Sequence, residues 1–234
     1  SMEDRNVFIS SFNRDNLYYE VRPKGKKDVV ARQIIKFVKK HKGKSGIIFQ
    51  QERKDFGYRS GLTGMVEVPN LKKELSRRQR ISMDDESLFA YVATKEALSN
   101  AKIDEEFLDK IDVGILYGND STAKAVVEST DIIREKKDTA LVGSGAIFKA
   151  MNSTVTMNLS TIFKLKGVNF TISAACASGS HSLGVGYMMI KNGLQDAVIC
   201  GGAQEINKYA TASFDGLGVF SPNEENPTHI YTEA

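Results

Sequence analysis

Cysteine is scarce: Cys176 and Cys200 are the two present among 234 residues, too few for a disulfide framework. The three histidines, His41, His181 and His229, lie in unrelated segments, and with the cysteines they make no metal-ligand spacing. No metal and no organic cofactor is therefore expected, and any cysteine chemistry involves a free thiol. No run approaches the roughly 18 consecutive apolar residues of a membrane span, and no basic, apolar, small-residue segment reads as a secretory signal. These absences predict a cytoplasmic protein without membrane contact. Charge of one sign is lacking as well: 32 Lys and Arg face 29 Asp and Glu, a net of +3, too small to argue for nucleic acid by itself. Repeats, low-complexity segments and long linkers are absent too.

What is present is an ordinary globular composition. The 41% hydrophobic share becomes about 46% when Gly is counted and Tyr left out, inside the range of chains that bury a core. Ser1-Met2 reads as the remnant of a cleaved tag. Asn6 to Ser10 and Leu17 to Val21 read as short strands, and Asp28 can cap a helix to about Lys40 with Val30, Ile34, Phe37 and Val38 on one stripe. A brief apolar run, Ile47 to Phe49, leads into a polar segment to about Pro69. A second helix is expected from Asp84 to Asn100, with Leu88, Tyr91, Val92 and Leu98 as its apolar face. Asp112 to Leu116 reads as a strand, and Gly143 to Ser160 is mixed.

The clearest unit follows: strand Val168 to Ser173, the turn AACASGS, a helix to about Asn192, and strand Ala197 to Cys200. This is a βαβ unit, so the fold class is α/β with a parallel sheet. Cys176 sits between strand and helix, where free amides and the helix dipole favour negative charge and hence the nucleophilic thiolate. A small buried core residue would suit the position equally well. The helix carries Ser178, Gly179, Ser180, Ser182, Gly184 and Gly186, side chains small enough to suggest that another helix packs very close. Cys200, within AVICGG, reads as core.

NFTISAACASGSHSLGVGYMMIKNGLQDAVICGGAQE and then ASFDGLGVFSPNEENPT resemble the nucleophile region of the β-ketoacyl-acyl-carrier-protein synthases of the elongating, thiolase-fold class. The likeness extends upstream through KAMNSTVTMNLSTIFKLKGVN, VGILYGND and SLFAYVATKEAL, from about Lys42 to Thr228. The resemblance implies the N-terminal half of a three-layer fold: a five-stranded, mostly parallel sheet in the order 3-2-1-4-5, with a buried nucleophile helix. Asp112 to Leu116, Val168 to Ser173 and Ala197 to Cys200 would be its second, third and fourth strands; NVFIS could stand in for the first, and the fifth has no candidate. It implies that Cys176 accepts an acyl group from a carrier-protein thioester. The carbanion released from a malonyl thioester then attacks that group, a decarboxylative Claisen condensation in fatty acid elongation. The Cys176 N–H would serve as one oxyanion donor. Arg77, Arg78 and Arg80, after Lys72 and Lys73, would dock the acidic carrier protein through salt-sensitive steering. A homodimer would form across strand 168–174. The family's catalytic histidines, lysine and second oxyanion loop belong to its C-terminal half, outside the matching block. His181 lies about 1.4 helical turns from Cys176 and reads as packing.

Residues 1–49 depart from this pattern and form an atypical segment ahead of the synthase-like 50–234. RNVFISSFNRDNLYYEVRPK and IIKFVKKHKGKSGIIF resemble the entry to the second RecA-like domain of RecQ-type DNA helicases. ATP binding is not expected there: Gly43-Lys44-Ser45 ends like a phosphate loop, but Val38 replaces its first glycine and the helix–strand order is reversed. Two further readings therefore stand beside the enzyme: a nucleic-acid-binding helicase-derived fragment, and a catalytically inactive synthase fragment.

Overall fold

The computed structural model describes residues 47–64, 68–222 and 224. In chain order these form β1 (Ile47–Phe49), α1 (Gln51–Asp55), β2 (Leu62–Gly64), α2 (Arg77–Arg80), α3 (Asp85–Asn100) and α4 (Glu105–Lys110). Then come β3 (Val113–Gly118), α5 (Lys124–Lys136), α6 (Ala146–Lys149), α7 (Thr154–Ile162), β4 (Asn169–Ile172), α8 (Ser178–Lys191), β5 (Ala197–Gly202) and α9 (Lys208–Leu217). The strands expected at Asn6 to Ser10 and Leu17 to Val21, the helix from Asp28 and nearly all of the helicase-like segment lie outside the described residues.

The chain divides into two units. The larger, within residues 68–210, is organised by β3. All six residues of VGILYG are buried, as a strand covered on both faces requires. It is bonded in parallel on one side to β4 (Ile115 opposite Asn169) and on the other to β5 (Val113 opposite Ala197). The order is β4-β3-β5. This corrects the expected sheet of five: among the described residues the parallel sheet has three strands, and the fourth strand of the expected order lies directly beside the second. The place assigned to NVFIS between them is taken up by the β3–β5 hydrogen bonds.

Helix α3 starts where expected because the Asp84 carboxylate accepts the Asp85 N–H at 2.9 Å, and the Asp85 charge complements the dipole of the first turn. Its inward face differs from the reading. Tyr91 and Leu98 are buried, Leu88 is half-buried and Val92 is exposed, whereas Glu86, Ser87 and Thr94 are buried. Two of these inward polar groups find partners: Ser87 meets the Thr154 hydroxyl of α7 at 3.3 Å, and Thr94 meets the Tyr117 hydroxyl of β3 at 2.7 Å. The core between these layers is Leu71, Leu75, Met83, Ala90, Tyr91, Ile115, Tyr117, Val155 and Leu159. Burial of the largest of these side chains contributes about 1.5–3 kcal/mol each.

The smaller unit, within residues 47–67 and 211–224, pairs β1 with β2 antiparallel, Ile48 opposite Thr63. Arg53 is buried there, stacked 5.1 Å over the Tyr58 ring and donating to the Thr211 hydroxyl at 2.8 Å. The Asp215 carboxylate accepts the Arg59 and Ser60 amides, and Glu224 accepts that of Gly61.

Candidate active site

The carboxyl ends of β3, β4 and β5 point the same way because the strands are parallel, and the loops beyond such ends are where α/β sheets place their chemistry. Cys176 follows β4. It lies in a single 3-10 turn, Ala175–Ala177, that runs directly into α8, and it is exposed. The expectation of a thiol at the strand-to-helix junction is met, and its alternative, a sealed core position, is excluded.

The turn is tight. Ala174 adopts φ −152°, ψ 41° and Ala175 a left-handed φ of +48°, a region that alanine rarely visits. Ser178, buried in the first turn of α8, accepts the Ala174 N–H at 2.8 Å and donates to the Ala175 carbonyl at 2.7 Å. Asp120, two residues beyond β3, accepts the Ala175 N–H at 3.2 Å and the Ser173 hydroxyl through the same carboxylate oxygen.

The small residues of α8 have a different cause from the one expected. Ser178, Ser182 and Gly186 form its buried stripe and face the β3–β5 side of the sheet. A Cβ at Gly118 would overlap the Ser178 carbonyl carbon and the Gly179 nitrogen, and one at Gly186 would overlap the Cys200 sulfur. Ser182 ties the helix to the Gly201 carbonyl of β5 at 2.7 Å. Among the described residues the helix is buried on one stripe, and Leu183, Tyr187 and Met188 on its other side are exposed.

Cys200 is half-buried in β5, and burial pushes its thiol up to about 11. His181 is exposed on α8. The arginine cluster forms α2, started by a reciprocal Ser76–Gln79 capping box. Arg77 and Arg78 are exposed, as are Lys72 and Lys73, but the Arg80 guanidinium is half-buried and donates to the Leu75 carbonyl at 3.0 Å. Arg77 and Arg78 are thus the more outward cations of that helix.

Sequence reasoning missed several buried polar groups around the strand ends. Glu205, beyond β5, accepts the Ala123 and Lys124 amides and the Asn207 side chain, so it caps α5, whose own N-cap is an alanine. Lys124 reaches Asp85 at 2.9 Å and Asp84 at 3.4 Å. Glu86 is fully buried with neither carboxylate oxygen hydrogen-bonded. Burial, opposed by its own backbone N–H and reinforced by the charges of Asp84, Glu205 and Asp85, pushes its carboxyl up to about 8. The one sequence signal was the density of acids in SMDDES, which reads as surface without its partners. Among the described residues no group of three or more His, Cys, Asp or Glu could hold a metal ion, and no helix is long and apolar enough to cross a membrane.

The sequence profile described as "Beta-ketoacyl synthase, N-terminal domain" matches residues 41–234. The chain is 34% identical over 181 residues to the 3-oxoacyl-[acyl-carrier-protein] synthase 1 of Escherichia coli K12, covering 76% of this chain and 44% of that protein. A β-ketoacyl synthase from Burkholderia phymatum STM815 superposes with a TM-score of 0.71 at 27% identity, over 80% of this chain and 46% of the other. A type II polyketide ketosynthase, described in complex with its acyl-carrier protein and bound to a hexaketide, shares the fold at a TM-score of 0.59 and 19% identity, over 67% of this chain and 45% of the other. The chain thus spans less than half the length of each of these relatives. These matches lend the helicase resemblance of residues 3–49 no support. On the family profile and the curated synthase together, the chain belongs to the β-ketoacyl synthase family and carries its N-terminal domain.

Proposed function

We propose that the chain is the nucleophile-bearing part of a 3-oxoacyl-acyl-carrier-protein synthase, an acyltransferase of fatty acid elongation, and that Cys176 accepts the acyl group. The observation that carries this reading is an exposed thiol held in a constrained turn at the carboxyl end of a parallel strand and the start of α8. The Cys176 sulfur adds to the carbonyl of an acyl-carrier thioester. The carrier thiol leaves with a proton, and the acyl group stays as a thioester on Cys176. Loss of CO2 from a malonyl thioester then gives a carbanion that attacks the same acyl carbon and displaces the Cys176 sulfur. The Cys176 N–H donates to the oxyanion formed in the first step.

The carrier protein docks through Arg77 and Arg78 with Lys72 and Lys73, exposed cations that suit an acidic partner. A second copy pairs along β4, which among the described residues is bonded on one side only and carries an exposed Phe170. A cytoplasmic setting keeps both cysteines reduced.

Iodoacetamide on the folded protein tests the assignment. With its thiol up at about 11, Cys200 holds about one thiolate in a thousand at pH 8. Cys176 is expected to be alkylated at least about 100-fold faster, as read by peptide mass mapping. Equal labelling of both thiols, or protection of Cys176, contradicts it.

A further inference from the structure

We infer that Asp120 is a positioning residue for the nucleophile: its carboxylate pins the Ser173–Cys176 turn in the conformation that presents the thiol. The inference rests on reading Cys176 as the acyl acceptor. Four observations converge on it. First, Ala175 is held in the left-handed backbone region. Such conformations persist only where the surroundings over-determine them.

Second, a single Asp120 oxygen accepts both the Ser173 hydroxyl and the Ala175 N–H, so one atom clamps the chain on either side of Ala174. The Ser178 hydroxyl bridges the Ala174 N–H and the Ala175 carbonyl from the helix side. Ser178 belongs to the same βαβ unit as the turn. Asp120 alone among these groups comes from another strand end, 55 residues earlier in sequence.

Third, Asp120 is itself anchored. Its backbone carbonyl accepts the Asn152 side chain at 3.1 Å, and the neighbouring Asn119 side chain donates to the Asn152 carbonyl at 3.0 Å. This reciprocal pair ties the loop after β3 to the segment entering α7. Fourth, the Asp120 side chain is half-exposed and belongs to neither apolar cluster. Its loss therefore frees the turn while leaving the core packed.

The test compares acyl transfer from a short acyl-pantetheine thioester to Cys176 in the parent, D120A, D120N and the double variant D120A/A175G. Deuterium exchange of peptides covering residues 173–178 is measured alongside. D120A, which loses both hydrogen bonds to the turn, is expected to slow acyl transfer and to raise exchange by at least about tenfold each. D120N keeps an acceptor oxygen in the same place and is expected to stay within about twofold of the parent. In D120A/A175G, glycine adopts positive φ without a pin, so acyl transfer recovers, which a merely structural or electrostatic role of Asp120 would not produce.

D120A that acylates at the parent rate, or a double variant no faster than D120A, overturns the inference. Should D120A also expose Cys200 to iodoacetamide, S173A decides instead. It removes one of the two donors to Asp120, and unchanged exchange overturns the inference. Failure of the Cys176 reading shows separately, as a parent protein that takes no acyl group at that residue. Exchange at 173–178 then judges the pin alone, with unchanged exchange in D120A refuting it and raised exchange supporting it.

Discussion

Replacing Glu86 with glutamine is expected to make the protein gain stability, relative to the parent, as pH rises. Glu86 is fully sequestered with both oxygens unpartnered, and its carboxyl sits near 8 instead of the ordinary 4.5. The folded state therefore holds the proton more tightly than the unfolded chain. From about pH 4.5 upward the unfolded chain releases that proton first, and stability falls by about 1.4 kcal/mol per pH unit until the folded carboxyl ionises near 8. Below that window the penalty is absent; above it the penalty is constant. Glutamine has nearly the same shape and no proton to lose, so any cost of its own unsatisfied amide is independent of pH. Between pH 5 and pH 8 the stability difference between E86Q and the parent is expected to move by about 3 kcal/mol in favour of the variant. Urea unfolding at several pH values measures it; parallel stability–pH curves for the two proteins refute the burial of an ionisable Glu86.

The second large effect concerns the approach of α8 to β3. A Cβ at Gly118 would meet backbone atoms of Ser178 and Gly179, which cannot rotate aside as a side chain does. Either α8 lifts from the sheet or β3 bends, and such overpacking costs about 3 kcal/mol or more in a closely packed interior. G118A is expected to lose that much stability and to disorder the Cys176 turn, because the displaced atoms belong to the residue that caps the turn. Gly184 on the same helix gives the opposite sign. A Cβ there meets nothing within 4 Å, so G184A is expected to stabilise by about 0.5–1 kcal/mol through helix propensity alone. Thermal or urea unfolding of the pair decides it, and equal effects of the two substitutions refute this packing.

The parts of this fold that sequence reveals are those whose signals are local. The βαβ unit read as Val168 to Ser173, a helix to Asn192 and Ala197 to Cys200 is found as Asn169–Ile172, Ser178–Lys191 and Ala197–Gly202. Short apolar runs and the turn between them marked it, and Asp84 marked the start of α3. Helix α7 is hidden because its buried positions mix Val155 and Leu159 with Thr154, Thr156 and Asn158; Asn158 donates to the Ser82 and Thr154 carbonyls, and Thr156 meets the Thr171 hydroxyl of β4. Its sequence carries no clean apolar stripe. The small residues of α8 were seen but assigned to a neighbouring helix, since composition reports a close approach without saying which backbone approaches. Cys176 was legible from its place between strand and helix. Asp120 was not, because its partners Ser173 and Ala175 come near only after β3 and β4 pair. Glu86 likewise looks like one more surface acid until α3 turns it inward.

The central claim, that Cys176 takes the acyl group, is tested most directly by locating that group. The folded protein is exposed to an acyl-carrier-protein thioester and digested under conditions that preserve thioesters, and the acyl mass is mapped to a peptide. The account predicts the acyl group on the peptide containing Cys176 and its complete loss in C176S, with Cys200 unmodified in both. An acyl group on Cys200, or acylation that persists in C176S, contradicts it.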